Sequence, residues 1–87
     1  MKVEFSGTAE NRFLRLDKPI QKLIQKYIIE LTGLHNPRTR GKALSGNLSG
    51  LWRYRVGNYR LICSIEDTRL IIEILRNTHR RKIYRGK

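Results

Sequence analysis

The fold is decided by one stretch of the chain, Leu51-Trp52-Arg53-Tyr54-Arg55-Val56-Gly57-Asn58-Tyr59-Arg60-Leu61. Its Gly57-Asn58 pair is typical of the two-residue loop that closes a tight hairpin, because both residues tolerate a positive φ. Such a loop sets Val56 opposite Tyr59 and Arg55 opposite Arg60, and directly opposed residues share a face of the sheet. The stretch therefore predicts a β-hairpin with two separate faces.

The two faces of this hairpin differ in chemistry. The apolar face, which we expect in the core, comprises Trp52, Tyr54, Val56, Tyr59, Leu61 and Cys63. The opposite face, the arginine face, carries Arg53, Arg55 and Arg60. Like charges that stand directly opposite each other destabilise a sheet, so this grouping indicates a site that binds a polyanion, most simply a phosphate backbone.

The charge of the whole chain favours the same class of partner. Its 87 residues include 19 Lys and Arg against 7 Asp and Glu, which gives a formal net charge of +12. A patterned excess of this size favours RNA, DNA or an acidic protein as the partner over a generic basic surface. The length predicts a single domain spanning residues 1–87.

The cysteine count and the hydropathy pattern bear on the compartment. One cysteine cannot form an internal disulfide, so the fold needs no oxidising environment. No apolar run approaches the roughly 20 residues of a membrane span, and the start of the chain lacks the apolar core of a signal peptide. We therefore expect a cytoplasmic protein with no membrane partner.

Two helices are predicted before the hairpin. Residues 2–6 alternate as a short strand, and Ser6 to Thr8 can cap a first helix that runs to Leu16. Asp17 caps a second helix with Pro19 in its first turn, and Gly33 is a plausible stop. Apolar side chains recur in the second helix at helical spacing: Ile20, Leu23, Ile24, Tyr27, Ile28 and Leu31. Residues 34–50 read as a loop with a short extended piece at 42–44.

A third strand of the meander is predicted at residues 69–76, after a turn at 66–68. Simple alternation puts Leu70, Ile72 and Ile74 on the apolar face. The same alternation puts Ile71, Glu73 and Leu75 on the arginine face. The predicted fold is α+β, in the order β-α-α-β-β-β, with two helices on one face of a mainly antiparallel sheet.

The types of residue on the arginine face suit phosphodiester chemistry without a metal or another cofactor. The two histidines and one cysteine have no metal-ligand spacing, and no glycine-rich phosphate loop joins a strand to a helix. Cleaving RNA requires that a 2′-OH lose its proton, that charge on the phosphorane be neutralised, and that the leaving oxygen gain a proton. Arginine suits the second task, His79 suits proton transfer, and Tyr84 can stack on a base or donate its proton. Glu73 is either a salt-bridge partner within the arginine face or a proton acceptor.

Four segments of the chain resemble the RelE-type toxins of the RelE/ParE superfamily: residues 16–21, 41–46, 51–61 and 79–84. The segments occur in the family's order, and the similarity covers nearly the whole chain at family length. The resemblance implies the toxin of a type II toxin–antitoxin system. Such toxins are ribosome-dependent endoribonucleases, or mRNA interferases, which cut mRNA in the ribosomal A site and so inhibit translation.

The resemblance also implies a mechanism and partners. Cleavage is metal-independent and proceeds by 2′-OH attack that leaves a 2′,3′-cyclic phosphate. The implied partners are the 70S ribosome, mRNA and a cognate acidic, RelB-like antitoxin, and operator DNA is met only through the antitoxin complex.

Site residues carry over from the family by position. Arg53 and Arg55 match a basic pair on the family's second strand, and Arg60 matches the strand arginine that contacts the scissile phosphate. The predicted catalytic residues are Arg53, Arg55, Arg60, His79, Arg80, Arg81 and Tyr84. The predicted RNA-contacting residues are Lys42, Arg53, Arg55, Arg60, Arg80 and Arg81. Arg80 and Arg81 both fit the basic residue that precedes the family's C-terminal tyrosine, which Tyr84 matches.

One departure affects the general base. Some family members have lysine where Arg53 and Arg55 stand, and a guanidinium effectively never gives up its proton. A general base is therefore better sought at His79 or Glu73.

Two other functions compete with RNA cleavage. A ParE-like inhibitor of DNA gyrase would share the fold but act by binding a protein, without cutting RNA. A non-catalytic basic RNA-binding module would carry the same charge without needing a histidine and a tyrosine beside the arginines. The arginine face together with Tyr84 favours the endoribonuclease.

Overall fold

A computed structural model describes residues 1–66 and 68–78, which form two α-helices, two short 3₁₀ helices (Pro37–Thr39 and Gly46–Leu48) and a five-stranded sheet. The helices are α1 (Gly7–Leu14) and α2 (Lys18–Thr32). The strands are β1 (Lys2–Phe5), β2 (Lys42–Ala43), β3 (Trp52–Val56), β4 (Tyr59–Ile65) and β5 (Arg69–Asn77). The predicted α+β class is confirmed, and so is the order of the six predicted elements; β2, at the extended piece expected at 42–44, adds a fifth strand to the four predicted.

Both helices begin where the sequence indicates. The Ser6 hydroxyl accepts a hydrogen bond from the Ala9 backbone N–H at 3.2 Å, so Ser6 is the N-cap of α1. Asp17 stands at the N-cap of α2 with an extended backbone, but its side chain makes no capping hydrogen bond; Gly33 follows the last turn. The first helix ends at Leu14, two residues earlier than predicted. Among the described residues, neither helix is long and apolar enough to cross a membrane.

The sheet order is β1-β5-β4-β3-β2, with β1 parallel to β5 and the remaining pairs antiparallel. Both helices pack on one face, as predicted. From the helices the core takes Ala9, Phe13, Ile24 and Leu31, and from the strands it takes Tyr54, Val56, Leu61, Cys63, Leu70, Ile72 and Leu75. Trp52 and Tyr59 pack against this cluster, so the apolar face of the hairpin is confirmed. Burial of Ile24 and Leu31 contributes about 1.5–3 kcal/mol for each side chain.

The hairpin has the predicted register, with Val56 opposite Tyr59 and Arg55 opposite Arg60. Its turn differs in detail from the expectation. Gly57 has a φ of +59°, whereas no residue other than glycine has a positive φ in the described chain. A positive φ at the first central position alone is the pattern of a type II′ turn, so only Gly57 uses the left-handed region.

A β-bulge in β5 overturns part of the predicted alternation. Cys63 lies opposite Ile72 but Ile62 lies opposite Ile74, so Glu73 is an extra residue between them. Beyond it the faces exchange. Leu75, predicted on the arginine face, is buried in the core, and Ile74, predicted on the apolar face, lies on the arginine face. The prediction for these two residues was wrong because it assumed an unbroken period of two.

The loop before β2 is fastened to β3 by two side chains. The Tyr54 hydroxyl donates to the Pro37 carbonyl at 2.7 Å, and Trp52 Nε1 donates to the Arg40 carbonyl at 2.7 Å. Gly41, with a φ of +76°, passes so close to β3 that an added Cβ would meet the Arg53 carbonyl and lie 2.7 Å from Trp52 Nε1. Because the chain passes this close to β3, the next residue, Lys42, lies opposite Arg53.

We expect Gly41→Ala to destabilise the protein far more than Gly46→Ala. Both glycines have a positive φ, of +76° and +65°, but nothing lies within 4 Å of a Cβ added at Gly46. The difference between the two variants therefore isolates the collision with β3. This collision should make the free energy of unfolding of Gly41→Ala lower than that of Gly46→Ala by about 1–3 kcal/mol. Urea denaturation measures it, and equal losses in both variants would contradict the tight contact.

Stability should fall in alkaline solution. Burial raises the pKa of the Cys63 thiol and of the Tyr54 phenol above their ordinary values. Above about pH 8.5 for the thiol and about pH 10 for the phenol, the unfolded chain loses protons that the folded chain keeps. Each group then lowers the free energy of unfolding by about 1.4 kcal/mol per pH unit.

Urea denaturation at a series of pH values tests this, with Cys63→Ala as the matched variant. Without the thiol, the first part of the decline, between about pH 8.5 and about pH 10, should disappear. If the variant declined as steeply as the parent over that interval, the thiol would not be the cause.

Candidate nucleic-acid interface

Three arginines form a row across the helix-free face of the sheet. Arg55 on β3 lies opposite Arg60 on β4, and Arg60 lies opposite Arg76 on β5. Neighbouring strands are about 4.8 Å apart, so the three backbone positions span only about 10 Å. Arg76 was not among the predicted site residues, because unbroken alternation would have turned it towards the helices. Only the bulge at Glu73 reveals its position, and no local sequence signal marks that bulge.

A second row lies beside the first and is half cationic and half apolar. Lys42 on β2 lies opposite Arg53, Arg53 opposite Ile62, and Ile62 opposite Ile74. Ile62 is only 2% exposed, although it belongs to the arginine face and not to the core under the helices. The five cations, Lys42, Arg53, Arg55, Arg60 and Arg76, thus adjoin a buried isoleucine, Ile62, and a half-buried one, Ile74. The first four cations were predicted from the sequence as RNA-contacting residues, and the structure places them side by side on one face.

Carboxylates on the arginine face lie towards the other end of the sheet. Glu73 Oε2 accepts a hydrogen bond from the Ser64 hydroxyl at 2.9 Å. Glu4, which the sequence analysis did not place here, lies opposite Ile71, and one of its oxygens is 3.6 Å from Arg69 Nη1. Ser64 is four residues along β4 from Arg60, about 13 Å at strand rise. The five cations of the patch therefore lie nearer the hairpin turn, whereas Arg69, at the other end of the sheet, is paired with Glu4 and Glu66.

Four of the five cations of the patch form no ion pair with a carboxylate of the described residues. Over residues 1–66 and 68–78 the ion pairs are Arg40–Glu30, Arg69–Glu4 and Arg69–Glu66, which involve none of Lys42, Arg53, Arg55 or Arg76. Arg40 and Arg69 differ from these four cations, because the hydrogen bonds that they donate to Glu30 and Glu66 raise the pKa of their guanidinium groups. Clustered cations lower the free energy of a bound anion such as a phosphate, and four of the five cations of the patch lie outside these ion pairs.

The last described residue ties the end of β5 to the hairpin turn. Both the backbone N–H and the hydroxyl of Thr78 donate to the Asn58 carbonyl, at 2.6 and 2.8 Å. The end of β5 is therefore held at the cationic end of the face. The predictions for His79, Arg80, Arg81 and Tyr84 lie outside the described residues and stay predictions.

Comparison with known proteins agrees with this architecture. A family model described as "ParE toxin of type II toxin-antitoxin system, parDE" matches residues 3–84. Toxin RelE of Mycobacterium tuberculosis is 31% identical over 95% of this chain and 84% of its own length. Toxin RelG of the same organism is 33% identical over 95% of this chain and 94% of its own length.

Solved structures with the same fold include free and antitoxin-bound toxins. A chain of the toxin–antitoxin complex RelBE2 from Mycobacterium tuberculosis superposes with a TM-score of 0.77 at 28% identity, covering 87% of this chain and 88% of that one. The isolated RelE toxin of E. coli superposes with a TM-score of 0.75 at 13% identity, covering 98% and 92%. At that identity the second match establishes the fold alone.

Removing one arginine from the row should stabilise the free protein. Arg55 is exposed and directly opposite Arg60, so Arg55→Gln relieves like-charge repulsion and should raise the free energy of unfolding by about 0.2–1 kcal/mol. The gain should shrink as salt screens the charges. Arg12→Gln on α1, which removes an exposed arginine from the helix layer, is the control and should give no gain. Lower stability in Arg55→Gln at low salt would contradict the repulsion.

Proposed function

Because the chain belongs to the RelE-type toxins of the RelE/ParE superfamily of type II toxin–antitoxin systems, we propose that it is a ribosome-dependent endoribonuclease. As an mRNA interferase it would cut mRNA in the ribosomal A site and inhibit translation. The observation that carries the proposal is the row Arg55–Arg60–Arg76 with Lys42 and Arg53 alongside. Five cations on a sheet face free of helices suit a phosphate backbone better than a folded protein surface.

The proposed reaction is an internal transfer within RNA. The 2′-oxygen forms a bond to the adjacent phosphorus, the bond from phosphorus to the 5′-oxygen breaks, and a 2′,3′-cyclic phosphate remains. Negative charge accumulates on the non-bridging oxygens as the phosphorane forms. Arg60, in the middle of the row, is best placed to donate two parallel hydrogen bonds to those oxygens, and Arg55 supports it from β3.

Proton transfer needs other groups, because guanidinium stays protonated throughout. One group must accept the proton of the 2′-OH and another must supply a proton to the leaving 5′-oxygen. His79 and Tyr84 are our candidates for these roles, with Arg80 or Arg81 as a further phosphate contact. Glu73 is the less suitable acceptor, since its Oε2 is engaged by Ser64 and lies towards the carboxylate end of the face.

The partners follow from charge and family. A net charge of +12 favours docking on the RNA of a translating ribosome, which presents the mRNA codon. Related toxins were crystallised in toxin–antitoxin complexes, including RelBE2 of Mycobacterium tuberculosis, so we propose a cognate acidic, RelB-like antitoxin here. Operator DNA would be bound through that complex, and the site of action would be the cytoplasm.

A second candidate function is inhibition of DNA gyrase. The matching family model is described as a ParE toxin, and this is the observation that favours it. A gyrase inhibitor would act by binding a protein, and that binding does not require the five cations of the patch. The two functions leave different products in the cell, cut mRNA or broken chromosomal DNA.

Arg60→Ala should abolish mRNA cleavage when the protein is induced in cells. Loss of a donor that stabilises charge in the transition state lowers a rate by about 10²–10³. Primer extension on a defined translated mRNA should find cuts within codons for the parent, and those cuts should vanish when translation is blocked. Arg12→Ala, on the helix layer, should cut as the parent does.

Two measurements accompany this experiment. Circular dichroism shows whether Arg60→Ala is folded, and co-purification with the antitoxin should be retained, because an antitoxin segment would contact much more than one side chain. If the parent arrests growth while mRNA stays intact and chromosomal DNA breaks, the gyrase function replaces our proposal. If Arg60→Ala still cuts mRNA, the arginine row is not the site.

A further inference from the structure

The β-bulge at Glu73 determines which residue of β5 completes the arginine row. We propose that Arg76 is an RNA-contacting residue, and that the bulge is the device that turns it towards the RNA. In detail, Arg76 would bind a backbone phosphate next to the one that Arg60 holds. The inference rests on the proposed function, since it assigns part of the same RNA site.

The register shows what the bulge changes. Before it, Ile65 lies opposite Leu70 and Cys63 opposite Ile72. Continued without the extra residue, the same register would set Arg76 opposite Tyr59, on the side of the sheet that the helices cover. The bulge instead sets Arg76 opposite Arg60 and Leu75 opposite Leu61. The bulge thereby places Arg76 on the arginine face and Leu75 on the face that the helices cover.

The side chains fit only the bulged register. Leu75 is 3% exposed and joins the core cluster, whereas Arg76 is exposed. In the unbulged register a guanidinium would enter the apolar core, which costs several kcal/mol unless the charge is paired. Apolar Leu75 would take its place on the arginine face. The bulge is therefore required by the order of these two residues in the sequence.

Two serines hold the bulge in place. The Ser6 hydroxyl donates to the backbone carbonyl of Glu73 at 3.1 Å, and the Ser64 hydroxyl donates to its carboxylate at 2.9 Å. The carbonyl and the carboxylate of the extra residue thus both have partners, one from the start of α1 and one from β4. A bulge whose carbonyl and carboxylate both accept hydrogen bonds from other elements is a built feature of the sheet and not an irregularity.

The arginine row provides one phosphate contact on each of three neighbouring β-strands. The position of Arg76 on β5 extends the pair Arg55–Arg60 by one strand spacing, about 4.8 Å, away from β3. An extended RNA backbone that crosses the strands would meet the three guanidinium groups in succession. Arg76 is in none of the ion pairs of the described chain, so binding a phosphate would break no existing pair.

The test compares Arg76→Gln with Arg76→Lys and with the control Arg12→Gln. Binding is measured by fluorescence anisotropy with a labelled single-stranded RNA whose 2′-hydroxyls are methylated, so that it cannot be cut. One lost phosphate contact should reduce the slope of log Kobs against log salt by about 0.7 in Arg76→Gln. The slope should be retained in Arg76→Lys, which keeps the charge, and in Arg12→Gln.

Cleavage of translated mRNA by the same variants separates this inference from the proposed function. We expect the parent to cut, Arg12→Gln to match it, and Arg76→Gln to cut about tenfold more slowly. If the parent cuts and Arg76→Gln keeps both its slope and its rate, the role of Arg76 is refuted while the endoribonuclease stands. If the parent does not cut, the proposed function fails, and the salt slope alone decides whether Arg76 binds RNA.

A melting curve guards against misfolding. Relief of repulsion from Arg60 should leave Arg76→Gln at least as stable as the parent. If Arg76→Gln proves unfolded, Arg76→Thr takes its place, because threonine also removes the charge and suits an exposed strand position. A slope reduced by about 0.7 in that variant supports the contact, and the parent slope overturns it.

Discussion

The alternation of side chains along β3 and β4 is the constraint on which the rest of the molecule depends. With a period of two, one face can be wholly apolar and the other cationic only if the register is held without slippage. The tight turn at Gly57 fixes that register at one end, and Tyr54 and Trp52 reinforce it by bonding the preceding loop. The helices then cover the apolar face, and the opposite face is left to its charges.

Ser6 links three parts of this arrangement. Its hydroxyl caps α1, its backbone N–H donates to the Ile72 carbonyl at 2.9 Å, and the same hydroxyl reaches the carbonyl of Glu73. One residue therefore fixes the start of a helix, the end of the parallel β1–β5 pair and the bulge. Because each contact satisfies a polar backbone group, the geometry of the helix layer is coupled to the position of Arg76 on the other side of the sheet.

Local patterns predicted the parts of the fold that local chemistry decides. The hairpin faces follow from Gly57-Asn58 and alternation, and α2 follows from its apolar stripe, although Leu23 in that stripe is 43% exposed. The bulge at Glu73 was beyond such patterns, because its partners, Ser6 and Ser64, are 67 and 9 residues away. Arg76 was missed for that reason alone. The pairing of β1 with β5 is likewise a long-range contact that no short window contains.

The order of strands in space has a consequence for how the protein is made. β5 lies between β1 and β4, so it joins the N-terminal strand to the hairpin, yet it is the last strand of the described chain to be synthesised. Chains emerge from the N-terminus, and long-range pairings must wait for both partners. Until residues 69–77 are available, β1 lacks its sheet neighbour and the row of arginines lacks its third member. A growing chain therefore carries no finished anion-binding face, and the face is completed only when synthesis of β5 is over.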